Sequence, residues 1–123
     1  GMGSSSLLEP TRHTYEFPEI TFNSKQQVNA VTLEDFCALH DVSFVDLLWL
    51  DVQGLELKLI KRSEDFLKKR VNLINMEVSR VELYRGSALY SEVMSYMNKI
   101  GFAALKKRVG RISGNCLFQN QKL

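Results

Sequence analysis

Asp51 and Glu77 are the residues with the most chemistry in reach. Asp51 follows the apolar run Val45-Asp46-Leu47-Leu48-Trp49-Leu50, and Glu77 sits late in Leu73-Ile74-Asn75-Met76-Glu77-Val78. If both runs are parallel strands, both carboxylates stand on the rim where open α/β sheets bind ligands. Two close carboxylates could work as acid and base or hold a metal ion. A solvated rim is the plain alternative, and no metal set is assigned. Asp51 could equally cap the helix after it, whose N-terminus carries partial positive charge. Glu56, early in that helix, could complete the cluster, although support of the helix start is its simpler role. His13 and His40 are the only histidines. His13 could be a general base or a loop histidine without function; His40, at a helix end, is read as structural. Tyr84 and Arg85 fall in a strand-to-helix loop, where binding residues concentrate.

These side chains need elements to hold them. Residues 1–19 carry Pro10 and Pro18 and no hydrophobic period, so they are read as an extended or loop segment, free to move. Gly1 before Met2 reads as the scar of a cleaved tag, and the natural chain is expected to begin at Met2. Residues 20–22 and 28–31 are expected as short strands around the turn-like Asn23-Ser24-Lys25. Thr32-Leu33-Glu34-Asp35 has the form of a capping box. Leu33, Phe36, Cys37 and His40 would line one face of the helix it starts. The unbroken apolar character of 45–51 predicts a strand buried on both faces, with Trp49 in the core. Gln53-Gly54 ends it. A helix follows from Leu55, with Leu55, Leu59 and Ile60 inward, and Ser63 caps a further short one through Lys69.

A second strand is expected over 72–78. Leu89, Tyr90, Val93, Met94, Met97 and Ile100 recur at helical spacing, closed by Lys99 and Gly101. Residues 102–109 and 114–119 are strands with only Gly110, Ser113 and Gly114 to turn on. No helix fits between them, so they are antiparallel neighbours. Strand, helix, strand, helix and hairpin predict a three-layer α/β domain with a mostly parallel sheet.

With 45% hydrophobic and 24% charged residues among 123, the chain suits one packed domain. A net charge of +2 gives no sign of a nucleic-acid partner. The basic cluster Lys106-Lys107-Arg108 with Arg111 is read as charge protecting an edge strand rather than as a phosphate site. No apolar run approaches the ~20 residues of a membrane span, and the start lacks a signal-peptide pattern. A cytoplasmic protein with no membrane partner is expected. Cys37 and Cys116 fit reduced thiols there.

Several segments also carry a family likeness, in chain order. They are Ser4-Ser5-Ser6-Leu7-Leu8-Glu9-Pro10, Val31-Thr32-Leu33-Glu34-Asp35-Phe36, Asp46-Leu47-Leu48-Trp49-Leu50-Asp51-Val52-Gln53-Gly54-Leu55-Glu56 and Ile74-Asn75-Met76-Glu77-Val78. Leu83-Tyr84, Gly101-Phe102 and Gly114-Asn115-Cys116-Leu117-Phe118 follow at similar spacing. Together they resemble the C-terminal half of an FkbM-type, S-adenosylmethionine-dependent methyltransferase domain, departing from it at Glu34, Trp49 and Leu55.

The resemblance implies a partial class I methyltransferase fold, Rossmann-like, over residues 20–123, with an antiparallel final hairpin. It implies catalytic roles for Asp51, Glu77 and His13, and cofactor contact for Asp51, Gln53 and Glu56. It implies acceptor contact for Tyr84 and Arg85, and O-methylation of a small-molecule or glycan acceptor. In the family the glycine-rich turn and the ribose-binding acid come on earlier strands, which this sequence lacks. The chain alone is therefore expected to be inactive and to bind S-adenosylmethionine poorly; a non-catalytic interaction module is the alternative. An unpaired edge at 47–50 is expected to cause self-association, unless residues 20–31 fold over it.

Overall fold

A computed structural model describes residues 5–123. Residues 1–4, with the residue read as a tag scar and the first serine of the Ser-rich segment, lie outside the described residues. The order is α1 (His13–Glu16), α2 (Leu33–Leu39), β1 (Val45–Leu50), α3 (Glu56–Arg62), α4 (Glu64–Arg70), β2 (Val71–Ser79), α5 (Tyr90–Lys99), β3 (Phe102–Val109) and β4 (Ser113–Asn120). No helix among the described residues is long and apolar enough to cross a membrane.

The strands form one mixed sheet in the order β1-β2-β4-β3. β1 runs parallel to β2, with Leu47 level with Leu73 and Leu50 level with Met76. β4 runs antiparallel to both β2 and β3. The parallel pair and the final hairpin are therefore as the apolar runs and the helix-free turn require. The hairpin closes with Gly110 N–H donating to the Ser113 carbonyl.

Alternation decides which face is dry. Ile74, Met76 and Val78 of β2 lie two residues apart and so share a face, as do Cys116 and Phe118 of β4. All five are buried with Leu50 and Phe102. Against them pack Leu57 and Ile60 of α3, Leu67 of α4, and Val93 and Met97 of α5. Burying each such side chain is worth about 1.5–3 kcal/mol. Buried Asn120 ties α4 to the sheet: its Nδ2 donates to the carbonyls of Leu67, Lys68 and Val71 at 3.3, 3.1 and 3.0 Å. Leu67 and Lys68 lie in the last turn of α4, where carbonyls run short of intrahelical partners, and Val71 opens β2.

The other face departs from expectation. The helices of the core meet a single face, so the third layer is not found among the described residues. β1 is not buried on both sides: Leu47 is 48% and Trp49 65% exposed, so Trp49 is not a core residue. A continuous apolar run shows that a strand avoids water on one face at least. It cannot report whether anything covers the second.

Residues 20–22 and 28–31 form no strands; Val28 and Val31 stand 59% and 68% exposed. Short β-prone stretches need a neighbour to pair with, and they do not pair with β1. In α2, Thr32 Oγ accepts the Asp35 N–H at 3.1 Å as the capping pattern requires. Only Leu33 and Cys37 turn inward; Phe36 and His40 stack on each other outside, 4.5 Å apart. α3 buries Leu57 and Ile60 and leaves Leu59 half-covered. Ser63 is buried before α4 but makes no side-chain cap.

Candidate functional site

Because β1 and β2 are parallel, their carboxyl ends meet on one rim. Asp51 follows β1 there, exposed, and Glu77 lies near the end of β2, half-buried. Between β1 and α3 the chain makes a tight loop in which Gln53 and Gly54 both take positive φ, 49° and 100°. Gly54 is also hemmed in. A Cβ there would lie 3.0 Å from Ser87 Cβ, 3.1 Å from Leu8 Cδ1 and 3.2 Å from Tyr84 Cβ.

Glu56 holds this loop from inside. Its carboxylate accepts the Val52 N–H at 2.9 Å and the Gly54 N–H at 3.0 Å. Its place at the start of α3 also puts negative charge where the helix favours it. Asp51 does not cap α3, whose first turn has no side-chain cap. From the N-terminal segment, Ser6 Oγ donates to the Gln53 carbonyl at 2.7 Å.

Gln53 is the hub of the rim. Its Nε2 donates to Asp51 Oδ1 and reaches Glu77 Oε2 at 3.4 Å. Its Oε1 accepts the Tyr84 hydroxyl at 2.7 Å. Asp51, Glu56 and Glu77 each present an oxygen within 4.8 Å of the others. Burial, then repulsion from Asp51 and Glu56, raises the Glu77 carboxyl above the usual range. Burial also raises Glu56, against the pull of its backbone hydrogen bonds. Burial and the three carboxylates push Tyr84 up to about 12. The rim can thus bind a cation or hold a proton. Beneath it lies a void of about 20 Å³, touched by Glu56, Glu77, Tyr84 and Ser87. Among the described residues the Ser87 hydroxyl has no partner.

The structure therefore gathers Asp51, Gln53, Glu56, Glu77 and Tyr84. His13 meets this group through its ring contact with Tyr84. His13 opens the short α1 rather than lying in a loop, and it is 4% exposed. Its ring packs 5.1–5.2 Å from those of Phe17, Phe22 and Tyr84, and burial lowers its pKa. Nor is residue 9–13 a loose extended segment. Thr11 and His13 N–H donate to the Leu83 carbonyl, and Arg85 N–H donates to the Glu9 carbonyl at 2.8 Å.

Arg85 faces a separate open groove of about 890 Å³, lined also by Arg12, Lys58, Lys61 and Arg80. Sequence reasoning passed over these cations. Lys58 and Lys61 lie three apart on one helix face, but nothing in the sequence puts that face beside the 80–89 loop. It also passed over Gly54 as the point where three segments converge, for which the neighbouring Gln53-Gly54 break was the available signal.

Comparison with known proteins agrees with the likeness seen in the sequence. The family model described as "Methyltransferase FkbM domain" matches residues 2–104. The chain is 29% identical over 120 residues to the 2-O-methyltransferase NoeI of Sinorhizobium fredii (strain NBRC 101917 / NGR234). That alignment covers 98% of this chain and 48% of the relative, so the chain spans about half the relative's length. No solved structure matches.

Proposed function

This chain belongs to the FkbM methyltransferase domain family, and we propose from that premise that its acidic rim serves transfer of a methyl group from S-adenosylmethionine to an acceptor hydroxyl. The observation that carries this is the meeting of Asp51, Gln53, Glu56, Glu77 and Tyr84 at the carboxyl ends of two parallel strands. The acceptor is a small molecule or glycan, and its reacting atom an oxygen, the latter in keeping with a relative named as a 2-O-methyltransferase. The strand order and final hairpin support a class I methyltransferase sheet, with β1 and β2 as its fourth and fifth strands. Buried free thiols at Cys37 and Cys116 accord with a cytoplasmic place.

The donor set suits a sulfonium cofactor, because crowded carboxylates with raised Glu56 and Glu77 are relieved by a nearby positive charge. When bound, S-adenosylmethionine supplies an electrophilic methyl group on positively charged sulfur. Exposed Asp51 and its partner Gln53 would hold it. Glu77, with its raised proton affinity, is suited to take the acceptor's proton. Tyr84 fixes Gln53 rather than ionising, and Glu56 keeps the loop in shape.

The glycine-rich turn and ribose-binding acid that the likeness calls for are not among these 123 residues. Lacking two charged hydrogen bonds costs on the order of 4 kcal/mol, which turns a micromolar site into one of about millimolar Kd. An NMR titration with the cofactor reads this range. Amides of Asp51, Gln53 and Glu77 are expected to shift with about millimolar Kd, and Asp51→Ala to abolish the response. A folded chain whose rim amides stay still throughout would refute methyl transfer at this rim.

A second reading, a non-catalytic interaction module, is favoured by the outer edge of β1, which no strand among the described residues covers, with Leu47 and Trp49 exposed. There β1 would pair with a second copy, which light scattering tests separately.

A further inference from the structure

The open groove adjoins the rim: Gly54 and Ser87 line both it and the void beneath Glu77. Tyr84 belongs to the rim and Arg85, next in the chain, to the groove. Five cations line it, Arg12, Lys58, Lys61, Arg80 and Arg85, against the carboxylates of Glu82 and Glu92. That local excess of three positive charges exceeds the +2 of the whole chain.

Most of these charges have internal employment. Glu82 accepts the Gly86 N–H and Glu92 the Leu89 N–H. Arg12 pairs with Glu16. Lys61 lies over the Tyr96 ring, and Arg80 lies over Tyr90 and donates to the Gly110 carbonyl. Lys58 and Arg85 are exposed and, among the described residues, have no ion pair within 4 Å, although Arg85 is near enough to the Glu9 carboxylate to add to Lys25 in lowering its pKa. The Arg85 backbone is nonetheless fixed through its bond to Glu9. A groove of about 890 Å³ falls within the ~300–1,000 Å³ of small-molecule sites.

We propose that this groove binds an acceptor bearing a phosphate, sulfate or carboxylate group, seated on Lys58 and Arg85. The guanidinium and ammonium groups give charge-assisted hydrogen bonds to such oxygens. The acidic rim repels the same oxygens, so the two halves of the site orient the molecule. Its anionic end lies in the groove and an uncharged hydroxyl is turned toward Glu77. Calling the bound molecule an acceptor rests on the methyl-transfer reading; the oxyanion site itself does not.

The test is an NMR titration of the whole chain with glucose 6-phosphate, glucose 6-sulfate, glucuronate and glucose. The charged sugars are expected to give saturable shifts at Lys58 and Arg85, and glucose none. Differences among the three identify the preferred oxyanion. Combining Lys58→Gln with Arg85→Gln is expected to weaken binding about tenfold or more. Both residues are exposed, so the variant's spectrum should stay dispersed. Combining Lys106→Gln with Lys107→Gln on the hairpin should change affinity less than about twofold. Equal shifts with glucose, or equal loss in the hairpin variant, would overturn the proposal. So would tighter, steeply salt-dependent binding of a short RNA in the same groove. Groove binding that persists while the cofactor titration is silent would support the oxyanion site and sink only the methyl-transfer reading.

Discussion

β3 ends the sheet on one side with Lys106, Lys107 and Arg108 exposed along it, and its register slips between Ala104 and Lys106. β1 ends it on the other side with Leu47 and Trp49 exposed, no lysine, arginine or proline in its length, and Asp46 as its one charge. Charge and bulges are how edge strands avoid pairing with other chains. One edge is thus built to stay in water, and the other has the makings of an interior strand. That second edge bears on function, because the candidate site lies at the carboxyl end of β1.

The largest effect is expected where the protected edge is tied down. A Cβ on Gly114 would run into the Arg108 carbonyl and Val109 Cα across the hairpin. Neither is a flexible side chain that could swing away. Gly114→Ala should cost about 3 kcal/mol or more. Thermal unfolding should then fall by roughly 10 °C for a domain of this size. An unchanged melting temperature would mean that the β3–β4 pairing is looser than its register implies.

At the bare edge the tight spot lies beyond the strand. Gly54→Ala combines a positive φ with three close neighbours and should cost about 1–3 kcal/mol. It should also release Gln53 from Tyr84, which amide shifts at both residues would report. Urea unfolding that matches the parent chain would show that the loop can yield.

Substitution within the edges themselves should alter assembly more than stability. The parent chain is expected to self-associate by light scattering, and Trp49→Lys to be monomeric, with stability changed by no more than about 0.5 kcal/mol. The mirror-image change, Lys107→Val, should add association through β3. If the parent chain is monomeric, β1 tolerates exposure and the contrast between the edges has no consequence in solution.

The difference between the edges was only half legible beforehand. Lys106-Lys107-Arg108 declared a solvated strand by type, since charged residues keep to water. Val45 to Leu50 declared a strand but not its neighbours, because burial depends on what other segments do. The same limit explains the strands wrongly expected at 20–22 and 28–31, and the unforeseen pinning of residues 9–13 to Leu83 and Arg85. Asp51 and Glu77 were placed on one rim by strand direction alone. The central place of Gln53 required the loop's positive φ values, and the groove required knowing which helix face α3 turns toward the 80–89 loop.

The smallest effect concerns the acidic end of β1 and β2, and it has a definite sign. Burial and the charges of Asp51 and Glu56 raise Glu77 in the fold, so the folded chain holds its proton more tightly than the unfolded chain does. Protonation therefore favours folding. The resulting stabilisation is fully present below the unfolded value of 4.5 and is lost as pH rises through the higher folded value. Glu77→Gln removes the charge and its repulsion while keeping the side chain's size. Relative to this variant, the parent chain should lose stability as pH rises from about 4.5 toward neutrality. Urea unfolding across that window measures the difference directly. Lys107→Gln, which alters charge at the other edge without touching the rim, serves as the control. If parent and Glu77→Gln follow parallel curves, Asp51, Glu56 and Glu77 do not crowd one another in solution, and the rim loses its claim to hold a cation or a proton.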